Sequence, residues 1–304
     1  MSSYNHSSSA KAILYAFVAN LGIAIAKSGA AVYTGSGSMV AEAIHSFADC
    51  GNQILLFIGL KQSMKPATPE HPLGYGKATY VWSFIVAIIL FSIGGLFSIY
   101  EGWHKLHAPE EISSGWIALL VLGVSILLEI GSLIGCLREI ETIRGQTPFW
   151  QWFKTTRNAE LVVVLGEDAA AIIGLVLAFC FVAAAIITGD PFYDAAGSIC
   201  IGIILLFISL FVAWRVTALI VGRSAEPKLR AAIDKIISDD ENIHALLNSI
   251  TLQFGPEIML AAKIKMRTNM TMEDAVRHIN QLEINIKQQV PEVGWCFIEP
   301  DFKD

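Results

Sequence analysis

The sequence predicts an α-helical membrane protein, six transmembrane helices followed by a small cytoplasmic α+β domain. Three observations carry this. The chain has 304 residues, of which 54% are hydrophobic and only 16% charged; soluble domains carry about 25% charged residues. Mean hydropathy is +0.55. Six apolar runs, 11–34, 39–61, 79–103, 115–137, 159–188 and 194–221, are each long enough to cross a bilayer, which takes about 20 residues. The chain therefore divides into a polar tail (1–10), a transmembrane domain (11–223) and a charged domain without a spanning run (224–304).

Within the runs, small residues such as Gly22, Gly94, Gly95, Gly131, Gly135, Gly174 and Gly202 suit close helix packing in lipid. Tyr33, Trp82, Tyr100, Trp103 and Trp116 stand near run ends, where interfacial aromatics belong. Basic residues set the orientation. Lys11, Lys61, Lys65, Lys77, Arg138, Arg144, Lys154 and Arg157 fall at the N-terminal end or in the 62–78 and 138–158 loops, while the opposite connections carry only Lys105. The positive-inside rule then places both termini in the cytoplasm, across the inner membrane if the source is bacterial. Six spans agree with that. Aromatic residues 148–154 beside Lys154 and Arg157 predict a segment lying in the interface. The polar N-terminal residues lack the basic flank of a secretory signal. The net charge of −6 argues against a nucleic-acid partner. Cys50, Cys136, Cys180, Cys200 and Cys296 contain no CxxC pair and read as small buried hydrophobes. No prosthetic group is expected.

The tail of the chain predicts the order α-β-β-α-β. Glu226-Pro227-Lys228 opens a helix to about Ser238, with proline at an early position. Residues 248–254 and 258–266 read as strands around the Gly255-Pro256 turn. Thr271 and Asp274 have capping-box spacing and start a helix to about Gln289. Residues 295–298 form a short third strand, completing an open α+β sandwich.

Chemistry enters where polar residues interrupt apolar runs. His45 and Asp49 lie four apart in the second run, hence on one helical face, with Glu42 one turn earlier. Ionisable groups at membrane depth mark ion paths, and an imidazole with a carboxylate can hold a divalent metal. In the fifth run Glu167 and Asp168 follow Val162-Val163-Val164. His45, Asp49 and Asp168 thus offer three ligands from two helices. The alternative is a satisfied polar pair gluing helices together. His45, with an ordinary pKa near 6.5, is the natural proton carrier, since metal binding requires deprotonated ligands. A metal channel would share these ligands without alternating access. A membrane-embedded metallohydrolase would need a general base in a motif such as HExxH, and none occurs.

These residues resemble the cation diffusion facilitators over nearly the whole chain. Residues 36–49 (SGSMVAEAIHSFAD) look like the family's second-helix signature, 71–77 (HPLGYGK) like the loop into its third helix, and Asp190-Pro191 like the start of its sixth. The resemblance implies a homodimer exporting zinc, or another divalent ion such as iron, manganese, cobalt or cadmium, from the cytoplasm in exchange for protons. It implies a tetrahedral site in which His45, Asp49 and Asp168 match three ligands, whereas Val164 stands where the fourth belongs. Glu167, about 100° around the helix from Asp168, or a water is left to replace it; a non-transporting sensor or scaffold is the other reading of Val164. The Glu167-Asp168 pair resembles the branch containing mitochondrial zinc exporters. In the 62–78 loop Glu70 and His71 remain as further metal candidates, with Tyr75 where some relatives have histidine. In the soluble domain Leu247 and Lys263 align with two metal-binding histidines of the family, leaving Glu299 and Asp301 as acids.

Overall fold

The computed structural model describes residues 2–34, 37–108, 115–267 and 270–303; the side chains of 2–7, 34, 37–42, 44 and 45 lie outside that description. Six long helices make up most of the molecule: α1 Ser2–Thr34, α2 Gly37–Ser63, α3 Ala78–His107, α4 Gly115–Arg144, α5 Ala159–Thr188 and α6 Phe192–Val221. The polar residues at the N-terminal end are helical from Ser2, an extension of α1. It has something to pack on: Ser8 and Ser9 are buried, and Asn158 Nδ2 donates to Ser9 Oγ at 3.1 Å.

Five helices, α1 and α3 to α6, are long and apolar enough to cross a membrane among the described residues. The sixth, α2, has 27 residues, but Asp49, Asn52 and Gln53 in its middle lower its hydropathy. Its path follows from what lies at its ends. Ser9 near the start of α1 meets Asn158, the loop after α2 reaches the C-terminal domain at Gly76, which lies against Phe254, and Tyr80 in the first turn of α3 donates its Oη to Gly255 O at 3.2 Å. Arg157, beside Asn158, bonds Ser224 O at 2.8 Å and Ala225 O at 3.3 Å. All these points share one end of the bundle. A chain that leaves that end along α1 and is back there by residue 76 must use α2 for the return. The helices carry large exposed apolar residues, among them Val32, Leu127, Ile187, Phe207 and Trp214, a surface that calls for an apolar solvent. Cys180 lies on that outer surface, correcting the expectation that the cysteines are buried inside the protein; Cys50, Cys136 and Cys296 are buried, and none of the five is in a disulfide.

Each helix has a local reason to start or stop. Asn158 caps α5, its Oδ1 accepting from Leu161 N at 3.3 Å, and Gly189 ends it at φ 71°, a left-handed conformation suited to glycine. Asp190 Oδ1 accepts from Phe192 N at 2.9 Å and starts α6. In α3 the stretch Leu90–Leu96 widens to π-helical winding. There α3 and α6 approach through glycines: a Cβ on Gly202 would stand 2.8 Å from Gly95 O, and one on Gly102 2.8 Å from Ala195 O. The aromatic linker forms a short helix, Phe149–Thr155, with Trp152 buried and Trp150 exposed. Arg215 of α6 lies over the Phe153 ring, 5.0 Å from its centroid, and donates to Phe153 O at 2.6 Å.

The C-terminal domain has the expected order: α7 Pro227–Ser238, β1 Ile243–Phe254, β2 Glu257–Met266, α8 Met272–Gln289 and β3 Val293–Pro300. The sheet order is β1-β2-β3, antiparallel between β1 and β2 and parallel between β2 and β3. Ile233, Ile237, Ile258, Leu260, Ile264, Leu282 and Ile286 form its core. Strand β1 begins five residues before the predicted 248 because two register shifts, at 243–245 and 246–248, break the alternation. Thr271 caps α8 through Asp274 N at 3.1 Å. Burial and Arg223 pull the Arg157 guanidinium down to about 10, so it stays cationic at neutral pH while tying the carbonyls of 224 and 225 to the bundle.

Candidate metal centre

The sequence-predicted ligands lie on α2 and α5. On α2, Asp49 is half-buried. His45 belongs to the same helix one turn earlier, but its side chain, like that of Glu42, lies outside the described residues. On α5, Asp168 is 1% exposed. Its Oδ2 accepts a hydrogen bond from Ser132 Oγ of α4 at 2.9 Å. An ionised carboxylate at this depth is tolerated only with such partners.

Glu167 does something different. Asn52 Nδ2 donates to its Oε1 at 3.1 Å and Gln53 Nε2 to its Oε2 at 2.5 Å. Both oxygens of Glu167 are thus engaged by amides one turn beyond Asp49, and the pair of bonds ties α5 to α2. The amide oxygens, Asn52 Oδ1 and Gln53 Oε1, are buried and make no hydrogen bond among the described residues. Val164 is fully buried in the apolar core with Leu161, Val163 and Leu165. The position expected to carry the fourth ligand therefore serves packing.

Asp49 and Asp168 are charged neighbours both of Glu167 and of a further acid, Glu129 of α4. Among the described residues, no three His, Cys, Asp or Glu side chains converge as a finished metal shell; the shell drawn from the sequence includes His45. The remaining candidates lie elsewhere. In the 62–78 loop Glu70 and His71 are exposed, and the imidazole stacks on Tyr75 with centroids 4.4 Å apart. In the C-terminal domain Lys263 Nζ stands 3.3 Å from Asp301 Oδ2, and Glu299 is the register partner of Lys263. The Phe302 N–H and Lys263 together hold the Asp301 carboxyl below its usual range. An ammonium thus sits where a cation would have to go.

Five buried polar residues around the site were not foreseen: Asn52 and Gln53 on α2, Glu129 and Ser132 on α4, and Lys27 on α1. Each interrupts an apolar run, which is itself the signal that pointed to Asp49 and Asp168.

The sequence profile of the cation efflux transmembrane domain matches residues 13–221. The chain belongs to the cation efflux family. Among its curated relatives, the mitochondrial proton-coupled zinc antiporter SLC30A9 of Xenopus laevis is 32% identical over 260 residues, 83% of this chain and 46% of that protein. Metal tolerance protein C4 of Arabidopsis thaliana is 29% identical over 288 residues, 92% of this chain and 62% of that one. Magnetosome protein MamB of a Magnetospira species is 25% identical over 284 residues, 90% of both chains. This cation efflux chain spans about half the length of the zinc antiporters it matches.

Proposed function

We propose that this protein moves a divalent metal, zinc first among them, across the membrane in exchange for protons, with His45 and Asp49 of α2 and Asp168 of α5 as ligands to the ion. The observation that carries the reading is Asp168: a carboxylate 1% exposed, fixed by Ser132, on an α5 tied to α2 through Glu167. Relatives named as a proton-coupled zinc antiporter support both the ion and the coupling. With Val164 in the core and both oxygens of Glu167 held by amides, water completes the coordination shell in this reading. A shell with three protein ligands also suits transport, because the ion must leave as readily as it enters. Nitrogen from His45 favours zinc over the hard ions that prefer all-oxygen shells. The reading further has two copies paired, and both termini and the C-terminal domain on the cytoplasmic side, as the basic loops indicate.

The deciding experiment is uptake into proteoliposomes of zinc, iron, manganese, cobalt and cadmium, with and without a proton gradient. Zinc flux that rises with the gradient and disappears in Asp49→Ala and Asp168→Ala is the expected result. Flux indifferent to the gradient would make the protein a channel, and no flux of any ion would make it a sensor or scaffold.

A further inference from the structure

The buried residues of α4 follow helical spacing, Val121, Ser125, Glu129, Ser132, Cys136 and Ile140, and three in the middle are polar. Ser132 is explained by Asp168. Glu129, 3% exposed, is not. On the neighbouring α1, Lys27, 6% exposed, interrupts a stretch of glycine, alanine and isoleucine. The two helices run antiparallel in a register visible from their glycines. A Cβ on Gly22 would lie 3.2 Å from Leu128 Cδ1, and one on Gly135 would lie 2.6 Å from Tyr15 Cδ2. This register sets Glu129 level with the residue before Gly22, roughly 9 Å along the axis from Lys27. Helical side chains lean toward their own N-terminus. On antiparallel helices Lys27 therefore leans back toward Glu129, and Glu129 leans toward Lys27. Asp168, Asp49 and Lys27 are charged neighbours of Glu129.

An ammonium at this depth needs a reason. Four acids, Asp49, Glu129, Glu167 and Asp168, come from three helices into one region of the bundle, and lysine supplies a compact charge on a flexible stem. We propose that Lys27 is the resident cation of the unloaded transport site: leaning toward Glu129, it balances the carboxylates when no metal is bound and opposes an entering divalent ion, keeping metal affinity low enough for release. The inference rests on the transport reading above and adds to it a residue outside the two ligand helices.

The test uses the full-length protein in detergent, with zinc titrated against a chelating dye, and the same variants in proteoliposomes. Lys27→Met should bind zinc at least about tenfold tighter, since a unit charge facing a divalent ion is removed, and should turn over more slowly. Glu129→Gln, which leaves the ammonium unbalanced, should bind zinc about tenfold more weakly, and the double variant should return toward wild type. A purely structural ion pair gives another pattern: each single variant melts lower, the double recovers, and zinc affinity stays put. That pattern overturns the proposal. If Lys27→Met does not assemble, Glu129→Gln against the double variant decides, because tighter binding by the double variant supports the proposal and equal binding overturns it. Asp168→Ala is the separate control. Wild-type zinc binding there would sink the transport site itself, whatever the order of the Lys27 and Glu129 variants.

Discussion

Ser132 Oγ donates to Asp168 Oδ2 at 2.9 Å, joining α4 to α5 at the centre of the bundle. The hydroxyl engages one carboxylate oxygen of Asp168, and in the proposed reading the other is left for the ion. Groups that orient a ligand are commonly worth 10- to 100-fold in metal affinity. Ser132→Ala should therefore weaken zinc binding about tenfold with little change in melting temperature, whereas Asp168→Ala should abolish it. Equal affinity for Ser132→Ala and wild type in a zinc titration would remove Ser132 from the site.

Glu167 is predicted to be a fastener between helices. Glu167→Gln keeps the shape but puts an amide donor where one of two oxygens accepts from Asn52 and Gln53. Stability should fall by about 2 kcal/mol, read as a lower melting temperature, while zinc binding persists. Loss of binding as complete as in Asp168→Ala would instead identify Glu167 as the replacement ligand.

His45→Asp exchanges nitrogen for oxygen at one helical position. Zinc preference should decline relative to manganese and cadmium. Flux should also persist to lower pH, because an ordinary carboxyl releases its proton more readily than an imidazole. Uptake assays over ions and pH check both; an unchanged profile in each would make His45 a helix-packing residue.

Cys296 offers a probe of the small domain. Burial raises its thiol to about 12, so at pH 8 the reactive thiolate is scarce and grows only as pH approaches that value. Maleimide should label it slowly in the folded protein and rapidly after denaturation. Rapid labelling under native conditions would mean that the sheet edge at Cys296 opens freely.

Much of the architecture was legible because each apolar run is one long signal. The runs at 115 and 159 start α4 and α5 at the residues predicted, and Thr271 marks the start of α8 by its own chemistry. The polar surroundings of the site were harder to read. Lys27 and Glu129 are single residues in apolar runs, and no spacing in one dimension links α1 to α4. Asn52 and Gln53 interrupt an apolar run as Asp49 does, but nothing in one dimension sets Glu167 against them. The start of β1 was hidden by bulges, which reverse the alternation that reveals a strand.

The glycine contacts between α3 and α6 have a mechanical consequence. With Gly102 against Ala195 and Gly202 against Gly95, these two backbones touch without side chains between them. Interfaces of this kind resist sliding, since any shift drives main chain into main chain. The small domain is attached to the same pair: it continues from the end of α6, Tyr80 of α3 bonds Gly255, and Lys77 just before α3 bonds Ile220 at 3.2 Å. The helix pair and the domain below it thus form one stiff handle. Torque applied to the sheet would be delivered to this pair, two of the six long helices, leaving α1, α2 and α4 as the part against which it turns.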